Sequence, residues 1–344
     1  MPKPETGSRG ETARRAVAAL LGIALAVALL FWALRGVHLS EVLLHLRAAR
    51  SVPLAVAVVL ATSTFPLRLV RWRLLLRDER GGPLPAWPLW HAVAIGFMAN
   101  NLLPFRAGEL VRTFAATRLA GARFSAVLSS IAVERIFDGL AVVALLIIAL
   151  LASDFPPDIA VGGVSLRHAA QAAGTMGLAA LVAAVLMVAF PLATERLVRR
   201  ALPAGRVTDK IVTLLEGIRQ GLAVLRSPAR LAGVVFWSFA VWLTNAAAFY
   251  VGFEAFGIPV SFVGALLLQG VLIFGITVQF TPGFVGQFEA AIVAALALYE
   301  VPNALASSYA IAFHATTFLP IILLGAWSLA RTPIGLGDLR RPVV

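Results

Sequence analysis

Apolar runs of about 20 residues, repeated along the whole chain and twice interrupted by proline and glycine, constrain this sequence more than any other feature. Six runs are uninterrupted: 16–34, 52–70, 125–151, 169–190, 231–253 and 303–330. A helix of that length crosses hydrocarbon and satisfies its own backbone hydrogen bonds, which a lipid-exposed loop cannot do. Of the 344 residues, 60% are hydrophobic and 13% charged, and the mean hydropathy is +0.89. A soluble domain carries about 25% charged residues. Too little polar surface remains here to cover a water-exposed core. The sequence predicts an all-α integral membrane protein.

The two interrupted stretches set the topology. Residues 87–103 run into Pro104-Phe105-Arg106-Ala107-Gly108-Glu109, and the chain resumes over 110–123. Residues 261–280 run into Thr281-Pro282-Gly283-Phe284-Val285-Gly286 and resume over 287–300. If the N-terminus is cytoplasmic and both stretches fold back, 25 of the 29 Lys and Arg face the cytoplasm. A single crossing by the first stretch would put the basic blocks at 106–123 and 196–230 outside, against the positive-inside rule. The expected architecture is six full transmembrane helices plus two Pro/Gly-broken re-entrant hairpins, with both termini cytoplasmic in the inner membrane.

Within the transmembrane domain, 16–330, the halves 16–151 and 169–330 each read span, span, broken hairpin, span. Three crossings per half give opposite orientations, hence an inverted repeat. Both breaks share the spacing P-x-x-x-G, and interrupted segments at matching positions of inverted repeats point to a site near the bilayer midplane. Between the spans 169–190 and 231–253, the segment 207–226 places Ile211, Leu214, Leu215, Ile218, Leu222 and Leu225 at helical spacing, an amphipathic helix on the cytoplasmic leaflet. The tails, 1–15 and 331–344, are expected to be cytoplasmic. The charged start followed by 16–34 resembles a signal peptide, but the apolar run is long enough to span and is expected to stay attached.

Composition also narrows the chemistry. There are no cysteines, which excludes disulfides, thiolate metal sites and cysteine nucleophiles. The five histidines show no metal-ligand spacing, and no phosphate-loop or dinucleotide fingerprint occurs. Neither a metal, a cofactor nor catalysis by this chain is expected. The formal charge of +12 reads as topology and contact with anionic lipid rather than nucleic-acid binding.

Ionisable groups in membrane segments are costly and by default mark function. Asn100, Asn101, Arg106, Glu109 and Arg112 gather at the first break. Freed N–H groups, helix ends and guanidinium forks there suit a phosphate. The plainer alternative pairs Arg106 with Glu109 and leaves Arg112 solvated. Glu134 and Asp138 share one helix face, with Arg135 roughly 100° away; facing the hairpin arginines, they form a structural clamp or a substrate gate. At the second break stand Gln279, Thr281, Pro282, Gly283, Gly286, Gln287 and Glu289. Glu289 either caps the following helix or meets a cationic group or coupling ion. Arg68, Arg71, Arg73 and Arg77 beside Trp72 read first as a lipid-surface anchor and second as a headgroup selector.

Four ordered blocks carry a family resemblance. Arg71-Trp72-Arg73, then Asn101-Leu102-Leu103-Pro104-Phe105-Arg106-Ala107-Gly108-Glu109-Leu110-Val111-Arg112, then Glu134-Arg135-Ile136-Phe137-Asp138, then Thr281-Pro282-Gly283-Phe284-Val285-Gly286-Gln287-Phe288-Glu289 resemble the lysylphosphatidylglycerol synthase transmembrane region, or flippase-like, family. The likeness covers roughly residues 15 to 330. It departs at Phe284, where the family often has a second glycine. In bifunctional members this region is the lipid-translocating half beside a soluble synthase domain. The resemblance therefore implies lipid handling without synthesis: moving or presenting a phospholipid, aminoacyl-lipid, glycolipid or hopanoid between leaflets. Expected partners are anionic or zwitterionic lipids and a membrane-bound lipid- or glycan-synthesis enzyme. An ion-coupled transporter of a small polar solute and a scaffold for a lipid-modifying enzyme remain the alternatives.

Overall fold

The computed structural model describes residues 39–78, 80–103, 106–152, 155, 160–161, 164–189, 205, 227–279 and 281–334, with side chains at all of these except 160–161, 164 and 183–189. The expected span at 16–34, the surface helix at 207–226, the tail 1–15 and residues 335–344 of the other tail lie outside the described residues.

Each remaining apolar run is a helix. A short helix, α1 (Leu39–Ala48), precedes α2 (Ser51–Leu75). The first broken stretch gives α3 (Ala86–Leu102) and α4 (Gly108–Ala120), followed by the long α5 (Phe124–Leu151) and α6 (Leu166–Ala189). Then come α7 (Pro228–Phe256), the second broken stretch as α8 (Phe262–Gly275) and α9 (Gln287–Ala297), and α10 (Asn303–Ala330). By length and hydropathy α2, α7 and α10 qualify as membrane spans. At 28 residues α5 is as long as α10, but Glu134, Arg135 and Asp138 interrupt its apolar run. One departure from an all-helical chain is a two-residue antiparallel ladder, β1 (Ala160–Val161) with β2 (Val164–Ser165), in the α5–α6 connection.

The local chemistry explains where helices stop. Pro228 opens α7, where its missing N–H costs nothing, and Gly257 closes it in the left-handed region at φ +66°. The arms of the hairpins have 17, 13, 14 and 11 residues. At 1.5 Å per residue they reach about 16 to 26 Å, short of the ~30 Å hydrocarbon core. They fold back instead of crossing. In the first hairpin the arms touch through glycine: a Cβ on Gly108 would fall on the carbonyl of Gly96 and the backbone of Asn100. In the second, Gly275 faces the Cβ of Ala291.

The two ends of the bundle are told apart by their contacts. At one end, the N–H of Arg50 donates to Ala255 O at 2.8 Å and its guanidinium to Glu254 O at 2.7 Å, joining the start of α2 to the end of α7. At the other end, Trp87 of α3 packs on Trp327 near the end of α10, with ring centroids 5.8 Å apart. The α3–α4 hairpin therefore enters from the end where α2 and α10 finish. The α8–α9 hairpin enters from the end where α7 finishes. Apolar packing divides likewise: one core gathers Phe65, Trp72, Leu89 and Phe137, and another gathers Phe249, Leu268, Ile292 and Tyr309.

Candidate functional site

Beneath the first hairpin lies an ion network built by four helices. The α2 positions Thr64, Phe65, Arg68, Arg71, Trp72 and Leu75 are buried together, so two arginines share the inward stripe of a membrane helix. Arg71 is 0% exposed. Its Nη1 donates to Asp138 Oδ1 at 2.6 Å, and its Nη2 lies 3.1 Å from Glu134 Oε1. From α4, Arg112 grips both oxygens of Glu134 at 3.1 and 3.0 Å. Its guanidinium carbon stands 3.7 Å from the ring centre of Trp72. Arg135 bridges the two carboxylates, at 2.7 Å from Glu134 and 2.9 Å from Asp138. Trp242 of α7 donates its indole N–H to Asp138 at 2.9 Å, and Arg68 lies 3.6 Å from the same carboxylate.

The balance of charge is unequal. Glu109 joins through Arg135 at 3.8 Å, and Arg106 lies within electrostatic reach of Arg135, Glu109 and Asp138. Among the described residues five arginines, Arg68, Arg71, Arg106, Arg112 and Arg135, thus face three carboxylates. Arg71 and Arg112 are enclosed, whereas Arg135 has a third of its side chain exposed and Arg106 is half-buried. The Nε atoms of Arg106, Arg112 and Arg135 and the Nδ2 of Asn101 are buried with no hydrogen-bond partner among the described residues. Arg106, whose guanidinium reaches only the Ile276 carbonyl among the described residues, and the open amide of Asn101 favour an anion at a membrane-embedded tip.

Immediately above this network the two broken tips meet. Gln279 donates from Nε2 to Asn100 O at 2.8 Å and Leu103 O at 3.1 Å, while its Oε1 accepts from the Arg106 N–H at 3.1 Å. One side chain of the second break thereby caps backbone groups freed by the first. Arg106 returns the contact, its Nη2 lying 3.4 Å from Ile276 O. The third residue of each P-x-x-x-G motif is left-handed: Arg106 at φ +53° and Phe284 at φ +58°. Side-chain-bearing residues rarely adopt this conformation. Phe284 thus carries a glycine's backbone at the position where the sequence departs from its family pattern. Gly283, at φ +66°, is closed in by Phe318 and by Asn101 O.

The polar groups of the second break hold their own loop. Gln287 donates to Val278 O at 2.9 Å, and the hydroxyl of Thr281 donates to Val285 O at 3.0 Å. Glu289 accepts from the Gly286 N–H at 2.7 Å, capping α9, and its other oxygen lies 2.5 Å from Nδ1 of His314. Among the described residues no three histidine or carboxylate side chains converge to hold a metal ion.

Several expected positions take different places. Arg112 spends its fork on Glu134 and clamps the hairpin instead of presenting both donors to a ligand. Arg135 turns back over its own helix face to reach Glu134 and Asp138, though its spacing pointed it away from them. Arg68 and Arg71 are core residues, so the surface-anchor reading fails for them. Both oxygens of Glu289 are taken by protein groups, in line with the capping reading. Pro282 is exposed, and Pro104 and Phe105 lie outside the described residues. Sequence reasoning missed Trp242, His314 and Ser238, whose Oγ accepts from Arg71 Nη1 at 3.0 Å. Ser238 and Trp242 stand one turn apart on α7, a readable stripe, whereas His314 offered no motif.

The fold and the site define a multi-pass all-α membrane protein whose two hairpins, entering from opposite ends, join over a buried arginine–carboxylate network. The chain belongs to the lysylphosphatidylglycerol synthase transmembrane region family, matched over residues 19–325. It is 29% identical over 326 residues to glycosyltransferase AglD of Haloferax volcanii, covering 86% of this chain and 51% of AglD. It is 24% identical over 339 residues to a UPF0104 membrane protein of Methanothermobacter thermautotrophicus, covering 89% of this chain and 90% of that protein. The chain thus spans about half the length of AglD.

Proposed function

We propose that this chain binds the phosphate-bearing headgroup of a membrane lipid where its hairpin tips meet, and moves or presents that lipid between leaflets. The observation that carries this reading is the surplus of arginines over carboxylates beside the tips, with Arg106 and Arg135 the reachable members. Leu102 and Leu103, on the same tip, are exposed and apolar, a surface that suits acyl or prenyl chains. Glu134, Asp138, Arg71 and Arg112 then hold the hairpin in place and set the field around the headgroup. The name of AglD adds glycan-bearing lipids to the candidates, and a membrane-bound lipid- or glycan-synthesis enzyme is the partner that would supply or use them. The reading assigns the chain no bond-making chemistry, and it places both termini in the cytoplasm with the basic connections.

The test is mass spectrometry of lipids retained by the purified protein, comparing wild type with Arg106→Ala and Arg106→Lys. Arg106 lies outside the Arg71–Arg112–Glu134 clamp, so both variants should fold. Enrichment of one phosphate-bearing class, lost in the alanine variant and weakened in the lysine variant, supports the reading. Retention that mirrors the bulk membrane in all three proteins overturns it in favour of solute transport or scaffolding.

A further inference from the structure

Glu289 and His314 form a second polar site, which the headgroup reading leaves unused. Each side chain is 8% exposed, and Nδ1 of His314 lies 2.5 Å from Oε1 of Glu289. The imidazole is stacked on Phe288, centroids 4.2 Å apart, and receives Phe318 edge-on at 4.6 Å. Its Nε2 is buried and has no hydrogen-bond partner among the described residues. Capping α9 requires only the carboxylate, whose Oε2 already accepts from Gly286. The histidine is therefore surplus to the cap, and its open nitrogen is unfavourable in a site this apolar.

Proton bookkeeping shows what the pair can do. One proton lies between Nδ1 and Oε1. With it on Nδ1, Nε2 presents a bare lone pair beside an ionised carboxylate. A second proton arriving at Nε2 makes an imidazolium, and the pair changes from net negative to neutral. The carboxylate then shares its charge with the imidazolium, and its bond to the Gly286 N–H loses strength. Gly286 sits at φ +83° in the break itself, so that bond bears directly on the geometry of the second tip.

The other ionisable side chain of α10, Tyr309, donates its hydroxyl to Phe249 O at 3.2 Å, and the first tip brings Arg106, whose guanidinium donates to Ile276 O at 3.4 Å. From α9, Glu289 is the facing group. Neither α8 nor α2 before Arg68 has an ionisable side chain, and α7 has only Tyr250 between Arg230 and Glu254. The one such residue of α3, His91, packs on Trp327, about three and a half turns further along α10. α1 carries Glu41, His45 and Arg47 and meets α10 at Ser308, through Val42 O.

We propose that Glu289 and His314 form a proton-binding site whose occupancy controls the second hairpin tip, coupling lipid movement to proton movement. The cargo in this statement rests on the headgroup reading; the proton site does not. The experiment is hydrogen exchange at Gly286–Glu289 in nanodiscs, corrected for intrinsic rate, for wild type, His314→Gln and Glu289→Gln. Taken from about pH 8 to about pH 5, wild-type protection at Gly286 should fall about tenfold, the weakening of one charge-assisted bond. His314→Gln, which retains a donor to Glu289, should stay flat. A flat wild type, or an unchanged response in His314→Gln, overturns the proposal. In parallel, fluorescent phosphatidylglycerol is followed in proteoliposomes with and without a pH gradient. Gradient-dependent movement lost in His314→Gln supports coupling, and movement indifferent to both overturns it. If phosphatidylglycerol moves in no sample while the exchange response persists, the headgroup reading fails for transport of that lipid and the proton site stands.

Discussion

At the scale of single residues, the site is governed by the cost of leaving a buried charge without its partner. Arg71 holds Asp138 at 2.6 Å and Glu134 at 3.1 Å with no exposure. Removing one member of such a set costs about 3–5 kcal/mol, because the survivors keep their desolvation penalty. Arg71→Leu should therefore lower stability by that order, measured by thermal unfolding in detergent. Adding Asp138→Asn to it should recover part of the loss, because the two residues share one interaction. Equal and additive losses would show that Arg71 acts through packing alone. The sequence displayed these arginines but hid their role, since arginines flanked by tryptophan look the same at an interface and in a core. The legible clue was spacing: Arg68 and Arg71 lie on one stripe with Phe65 and Trp72, and that stripe faces inward.

At the scale of elements, glycines decide which helices can approach each other, and two of them predict opposite signs. A side chain on Gly108 would strike the backbone of Gly96 and Asn100, whereas Gly139 on α5 has nothing within 4 Å of its missing Cβ. Gly108→Ala should open the first hairpin and destabilise by about 1–3 kcal/mol, the usual cost of overpacking. Gly139→Ala should stabilise by about 0.5–1 kcal/mol through helix propensity. Melting temperatures of the two variants in one detergent check both signs, and a shift in the same direction would refute the close approach. Proline, glycine and charge at both breaks made the hairpins legible from sequence. Their junction was not, because Gln279 is satisfied by Asn100 O, Leu103 O and the Arg106 N–H. Backbone groups are common to every residue, so such a bond leaves no compositional trace.

At the scale of the whole molecule, the contacts fix which segments share an end, and the proposed orientation, with the basic end in the cytoplasm, rests on the charge distribution. The turn after α2 and the close of α10 lie at one end; Arg50, α1 and the close of α7 lie at the other. Membership of the ion network removes Arg68, Arg71, Arg112 and Arg135 from the loop charges counted toward the proposed cytoplasmic side. Among the described residues Arg73, Arg77, Arg80, Arg118, Arg123, Arg230 and Arg331 remain at that end, against Arg47, Arg50 and Arg167 at the other, so the positive-inside argument keeps its sign without them. Because the chain has no cysteine, a single introduced thiol reports its side without background. Arg80→Cys, in the exposed turn between α2 and α3, should react with an impermeant maleimide only after the membrane is opened or inverted. Arg47→Cys, exposed near the end of α1, should react in intact cells. The reverse labelling would place the first hairpin's base outside and turn the arginine network toward the other leaflet. Labelling of both thiols in intact cells would break the assignment of the two ends, and with it the opposed hairpins on which the site is built.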